Sequence, residues 1–182
     1  MNITTLRFHL EVCGRRALAA MASAALASTF LVPLTASAQS ASQGPNFVGT
    51  WVLVAADKVL PDGSRVSDYG ANPHGLAIFT SDGYYSIQIY RAERVKFASG
   101  DKFTGTPDEY KDASVGMSVS FGRYSVDTAK GTITFHVDRS SVPNVDDTTR
   151  VDPYELSGDT LSWKVAPRKD GSIPITVLRR AK

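Results

Sequence analysis

Cysteine is nearly absent from this chain of 182 residues: the one cysteine, Cys13, sits in an N-terminal stretch that reads as a removable leader. A chain without that leader has no disulfide, no thiol chemistry and no cysteine metal site, so its stability must come from packing. Histidine is scarce too. After the leader only His74 and His136 remain, in separate segments, and that spacing does not build a zinc site. Only three glutamates follow the leader, Glu93, Glu109 and Glu155. The aspartates leave carboxylate-pair hydrolysis open, but no spacing points to it. There is no Gly-x-Ser-x-Gly nucleophile elbow and no glycine-rich phosphate loop after a strand. No cofactor and no metal are therefore expected.

Long apolar runs are confined to the N-terminus. Arg7, Arg15 and Arg16 form a basic region ahead of the uncharged, Ala/Leu-rich run from Ala17 to Val32, and Ala36-Ser37-Ala38 has the small-x-small form that a signal peptidase reads. The apolar run falls short of the roughly 20 residues of a membrane span. The reading is a signal peptide over 1–38, cleaved after Ala38, and a periplasmic or secreted product with no membrane span in the mature chain. Arg15-Arg16 leaves twin-arginine and general export both open. No cysteine follows the run, which excludes a lipoprotein anchor. The leader carries three arginines and one glutamate, so of 20 basic and 18 acidic side chains 17 of each remain. A chain so balanced has no basic stripe for nucleic acid. The short cluster Arg179-Arg180-Lys182 reads as a solvated strand end.

What is present is strand. Residues 39–46 are polar and breaker-rich, a flexible lead-in. Then come Phe47–Ala56, Gly75–Thr80, Tyr84–Arg91, Met117–Asp127, Thr132–Arg139, Val151–Leu156, Thr160–Val165 and Ile173–Arg179, separated by turn signals such as Pro61-Asp62-Gly63-Ser64, Ser81-Asp82-Gly83 and Ser157-Gly158-Asp159. Ile133, Phe135 and Val137 alternate with Thr132, Thr134, His136 and Asp138, as in a strand with one apolar face. About eight short strands at regular spacing predict an all-β antiparallel barrel or sandwich in a single domain, 47–182. One short helix is expected: Thr106 as cap, Pro107 at its first position, Asp108 and Glu109 in its first turn, and an end near Ser114.

Several segments together carry a likeness. Gly49-Thr50-Trp51 opens the first strand as a Gly-x-Trp. Gly75 to Tyr84 forms a hairpin, and Phe97 to Asp101 with Gly105 to Glu109 forms a middle loop and helix. Phe121 to Asp127, His136-Val137, Pro143-Asn144, Arg150 and Leu156 to Leu161 follow in order. This set resembles the bacterial lipocalin-like domain family of the calycin group, over nearly all of Phe47 to Arg180. The resemblance implies an eight-stranded antiparallel calycin barrel. It also implies that Gly49 and Trp51 are structural, with Trp51 near one end against an arginine of the last strand, Arg179 or Arg180, of which Arg179 is taken here. The second and third lipocalin signatures, paired cysteines and a long C-terminal helix are missing. The likeness therefore implies a fold and not transport of a defined lipophile.

Function rests on polar residues in central strands. His136 can orient a ligand carbonyl or act as an acid/base near neutral pH, although alternation also permits it to face solvent. Arg150, after Asp146-Asp147, can clamp a carboxylate or pair with those aspartates. Tyr84, Ser86, Gln88 and Tyr124 offer the mixed apolar and polar surface of a binding cavity. Alternation groups Tyr84, Ser86 and Gln88 with Tyr90 and leaves open which face is inward. Arg91, Arg94 and Lys96 form a basic loop. The expected partner is a small apolar or amphipathic molecule in the barrel. Two other readings stay open: a cofactor-free cyclase, isomerase or hydrolase using His136, and a structural or interaction protein of the envelope. Oligomeric state is open.

Overall fold

The computed structural model describes residues 46–182. The leader expected over 1–38, and the lead-in up to residue 45, lie outside the described residues. The strands are β1 (Gly49–Val59), β2 (Arg65–Ser67), β3 (His74–Phe79), β4 (Tyr84–Tyr90), β5 (Met117–Asp127), β6 (Thr132–Ser140), β7 (Thr148–Ser157), β8 (Thr160–Lys164) and β9 (Ile173–Arg180), with an α-helix, α1 (Pro107–Val115), before β5 and a single 3-10 turn, Pro143–Val145, before β7. Every pairing is antiparallel between neighbours, and β1 also pairs with β9 from Trp51↔Arg180 to Val59↔Ile173. That last ladder closes an eight-stranded barrel, so neither edge is left open. The three-residue β2 adds to the far end of β1. It is too short to show a periodicity, which is why the sequence pattern passes over it.

The hairpins form where Asp-Gly and Ser-Gly pairs had marked turns. Gly83, at φ +86°, takes the left-handed conformation that the β3–β4 reversal needs. Two irregularities bend the ladder: one residue of β1 near Val54 is unpaired against β9, and one of β6 near Asp138 is unpaired against β5. At the second, Gly122 of β5 lies so close to β6 that an added Cβ would sit 2.0 Å from the His136 carbonyl oxygen. Only glycine allows that approach. Helix α1 starts at a capping box: Glu109 N–H donates to Thr106 Oγ1 at 3.3 Å, and Thr106 N–H donates to Glu109 Oε2 at 2.7 Å. It buries no residue and is tied to the barrel by the Arg91–Asp112 ion pair at 2.8 Å.

Alternation along the strands fills one end of the barrel with large side chains. Trp51, Phe79, Ile133, Phe135, Leu161 and Leu178 are buried together, and Tyr85 and Trp163 continue this core toward the other end. The aromatic rings meet edge-on or tilted, with Phe79 5.0 Å from Tyr124 and Tyr85 4.8 Å from Phe135. Phe47 closes the end from outside the first strand, 4.8 Å from Tyr154, and its carbonyl accepts the Trp51 indole N–H at 2.8 Å. Arg180 then stacks over Trp51 at 4.1 Å and donates to the Val48 carbonyl at 2.8 Å and to that of Asn46. Alternation in β9 makes Arg180 the stacking residue. Arg179 pairs with Val52, and both side chains are exposed on the outer surface.

Candidate functional site

The other end of the barrel is not filled. The far halves of β1, β4, β5, β8 and β9 surround a cavity of about 220 Å³. Its apolar wall includes Ile87 and Ile89 from β4, Trp163 from β8 and Ile175 from β9. Its polar wall holds Ser118 and Ser120 from β5, Arg150 from β7, and Tyr69. Small side chains make the space: where Tyr124 and Val126 fill the closed end of β5, Ser118 and Ser120 occupy the same face in the open end. The volume is below the roughly 300–1,000 Å³ of pockets for drug-sized ligands, so it suits a compact molecule.

The rim is held by ion pairs. The chain leaves β2 with the Asp68 N–H donating to the Ala56 carbonyl at 3.0 Å, and the Tyr69 carbonyl accepts from Ala92 at 2.9 Å. Asp68 is thereby set between two cations, Arg168 at 2.6 Å and Lys58 at 3.1 Å. Burial pushes its carboxyl up, but the hydrogen bonds and charges of Arg168 and Lys58 outweigh that and hold it below the usual range. Asp57 is likewise held by Arg65 at 2.7 Å. Tyr69 is half-buried beside this cluster. Burial, followed by the Asp68 charge, raises its phenol.

A second polar group lies on the inward face of β7, where Arg150 reaches the cavity floor. Arg150 and Asp152 are two apart on β7, so both point inward. Asp152 is 1% exposed, and its Oδ2 lies 3.1 Å from Arg150 Nε, whose side chain is 37% exposed. The contact is a charge pair without hydrogen-bond geometry: both atoms are buried and lack a hydrogen-bond partner among the described residues, as does the Tyr85 hydroxyl. Burial raises the Asp152 carboxyl above its ordinary value and outweighs the Arg150 charge, which pulls the other way. Burial also raises the Tyr85 phenol. The Ser120 hydroxyl opposes that shift but stands outside hydrogen-bonding geometry. Arg150 lies flat over Phe135, 4.8 Å from the ring centre. An unmet buried polar atom costs about 1–3 kcal/mol, so three on the inward faces of β4 and β7 mark a place where the fold forgoes stability.

The sequence profile of the lipocalin-like domain family matches residues 48–180. The chain belongs to that family. A solved structure of a lipocalin-like protein from Bacteroides uniformis ATCC 8492 is 14% identical, with the match covering 74% of this chain and 97% of that one at a TM-score of 0.37. A search among curated proteins returns no match.

Within this lipocalin-like barrel the residues singled out from sequence separate widely. Arg150 lines the cavity. It faces inward, and its partner is Asp152 rather than Asp146 or Asp147, which instead flank Arg139 at 4.0 and 2.9 Å. His136 is on the outer face of β6, exposed, with Nδ1 2.9 Å from Thr149 Oγ1. Ile133, Phe135 and Val137 take the inside because they are the apolar half of the alternation, so His136 cannot serve an interior reaction. Tyr84, Ser86 and Gln88 are also outside. Their strand turns Tyr85, Ile87 and Ile89 inward, and Tyr84 spends its hydroxyl on Arg123 at 2.7 Å. Tyr124 is inward but at the filled end, where its hydroxyl donates to the Thr80 carbonyl at 3.0 Å. Arg91 and Arg94 sit on the surface, Arg91 with Asp112 and Arg94 over Tyr90. Sequence reasoning named Tyr85 among the central-strand tyrosines but missed Asp152, Ser118, Ser120, Tyr69 and the Asp68 cluster. The Arg-x-Asp spacing of Arg150 and Asp152 is a signal that strand alternation could have used.

Proposed function

We propose that this chain is an exported carrier or sensor that binds a small, partly apolar molecule in the open half of its barrel. The observation that carries this reading is the cavity of about 220 Å³, walled by apolar side chains and reached by Arg150, whose Nε has no hydrogen-bond partner among the described residues. Its apolar wall supplies contact area and its few polar groups supply orientation, the usual division of labour in small-molecule sites. Export rests on the leader pattern over residues 1–38. The test is titration of the purified protein with an environment-sensitive apolar dye and a mixed metabolite extract, beside a Ser120→Leu variant that fills the cavity. Binding lost in Ser120→Leu is the expected result. No binding at all, or binding unchanged in that variant, sinks the reading.

One surface observation favours a second reading, an interaction role in the envelope. Met117, Val119 and Phe121 form an apolar strip on the outer face of β5, with Phe121 49% exposed. Dye binding that survives Ser120→Leu but is lost in Phe121→Ser would favour this reading over the carrier.

A further inference from the structure

We infer that the cavity takes a compact monocarboxylate, its acid group on the Arg150 guanidinium and its apolar body against Ile87, Ile89 and Trp163. This deepens the binding reading above and rests on it.

The charges in the open half lead to that class. At the rim, Lys58, Arg65 and Arg168 face Asp57 and Asp68. Asp170 also feels the charges of Lys58 and Arg168, so three cations stand against three anions and the rim is balanced. These cations are committed to the aspartates. Among the described residues, the one cation at the floor is Arg150. Its face rests on Phe135, its Nε is turned to Asp152, and no hydrogen bond of its terminal nitrogens to another described residue is found. By contrast, Arg180 at the other end spends both terminal nitrogens on backbone carbonyls. A guanidinium left with unused parallel donors matches a carboxylate.

Asp152 does not remove this preference. Its contact is with Nε, at 3.1 Å and without hydrogen-bond geometry, and it is 1% exposed. Burial raises its carboxyl above the ordinary value despite the Arg150 charge. The Ser118 and Ser120 hydroxyls line the same cavity and can donate to a second carboxylate oxygen. One cation with neutral serine donors beside it fits one negative charge; a phosphate dianion would want a second cation, and none lies at the floor among the described residues. The wall beyond is aliphatic and indole, and the small volume limits the body to about the size of one ring.

The test titrates benzoate and cyclohexanecarboxylate against benzamide, cyclohexanecarboxamide and benzylamine, reading tryptophan emission and calorimetry. The carboxylates should bind about ten- to a hundredfold tighter than their amides, and benzylamine weakest. Arg150→Met, which keeps length over Phe135, should lose that preference; Arg150→Lys should keep part of it. If Arg150→Met does not fold, the acid-to-amide ratio of the unaltered protein decides. Equal affinity for acid and amide, or a preference that survives Arg150→Met, overturns the monocarboxylate while leaving the cavity reading standing. If none of the five probes binds and the apolar dye does not either, both fail together.

Discussion

Each strand of this barrel runs through two different interiors. On β7, Tyr154 packs against Phe47 at one end while Arg150 and Asp152 face each other at the other. On β5, Tyr124 meets Phe79 at one end while Ser118 and Ser120 line a cavity at the other. The filled end satisfies its polar atoms: the Trp51 indole, the Arg180 guanidinium and the Tyr124 hydroxyl all bond backbone carbonyls. The open end leaves Tyr85, Arg150 and Asp152 unmet. The same alternation builds both ends. What differs is side-chain volume and whether a carbonyl is within reach, and that difference separates a half that holds the barrel closed from a half free to hold something else.

Mutation at the filled end should cost the fold and little else. Trp51→Ala removes a fully buried indole at the first strand, and a loss of about 3–5 kcal/mol is expected in denaturant unfolding. Arg180→Met keeps the stem over Trp51 but frees the carbonyls of Val48 and Asn46; the expected loss is about 2 kcal/mol. If either variant keeps its stability and instead loses cavity binding, the division between the ends breaks down.

At the open end two aspartates titrate in opposite senses. The folded value of Asp152 lies above its ordinary 3.8, so the folded state holds the proton more tightly. Its contribution is fully present below the unfolded value and is lost as pH rises through the folded one. Asp68 lies below its ordinary 3.8, so its contribution is present above that value and lost as pH falls through the folded one. Asp152→Asn should therefore raise stability at neutral pH by about 1 kcal/mol, a gain that fades as pH is lowered toward 3.8. A pH series of unfolding curves reads this. A loss at neutral pH would mean that Asp152 is ionised and firmly paired, against the contrast drawn between the ends. Arg168→Ala, which strips the rim of one cation, should cost at most about 1 kcal/mol and slow anion association more than it weakens the fold.

The barrel was legible because its signals are local. Alternation in Thr132 to Arg139, Asp-Gly turns and the Gly-x-Trp each act over a few residues, and the capping box of α1 is written in Thr106-Pro107-Asp108-Glu109. The site was legible only at Arg150. For Tyr84, Ser86 and Gln88 the alternation was visible, but not which face is inward. That depends on the pairing of Ile87 with Ser120 and Ala77 across neighbouring strands. Asp152 reads as a solvated residue in sequence because aspartate is seldom fully buried; its burial follows from the in-facing Arg150 two residues earlier. The Asp68 cluster joins residues 100 apart in the chain, beyond any local pattern.

His136 gives the sharpest test of that lesson, because the sequence made it the most attractive acid/base and the fold put it outside. Its ring nitrogen meets only Thr149, across the neighbouring strand on the solvent side. An exposed cross-strand pair of this kind contributes a few tenths of a kcal/mol. His136→Ala should therefore leave stability within about 0.5 kcal/mol and leave carboxylate and dye binding unchanged. Arg150, one pair along the same β6–β7 ladder and facing Phe135, should show the opposite: little change in stability and a large change in binding. If His136→Ala abolishes binding while the barrel stays folded, the ligand lies on the outer face of β6 and the open end is not its site.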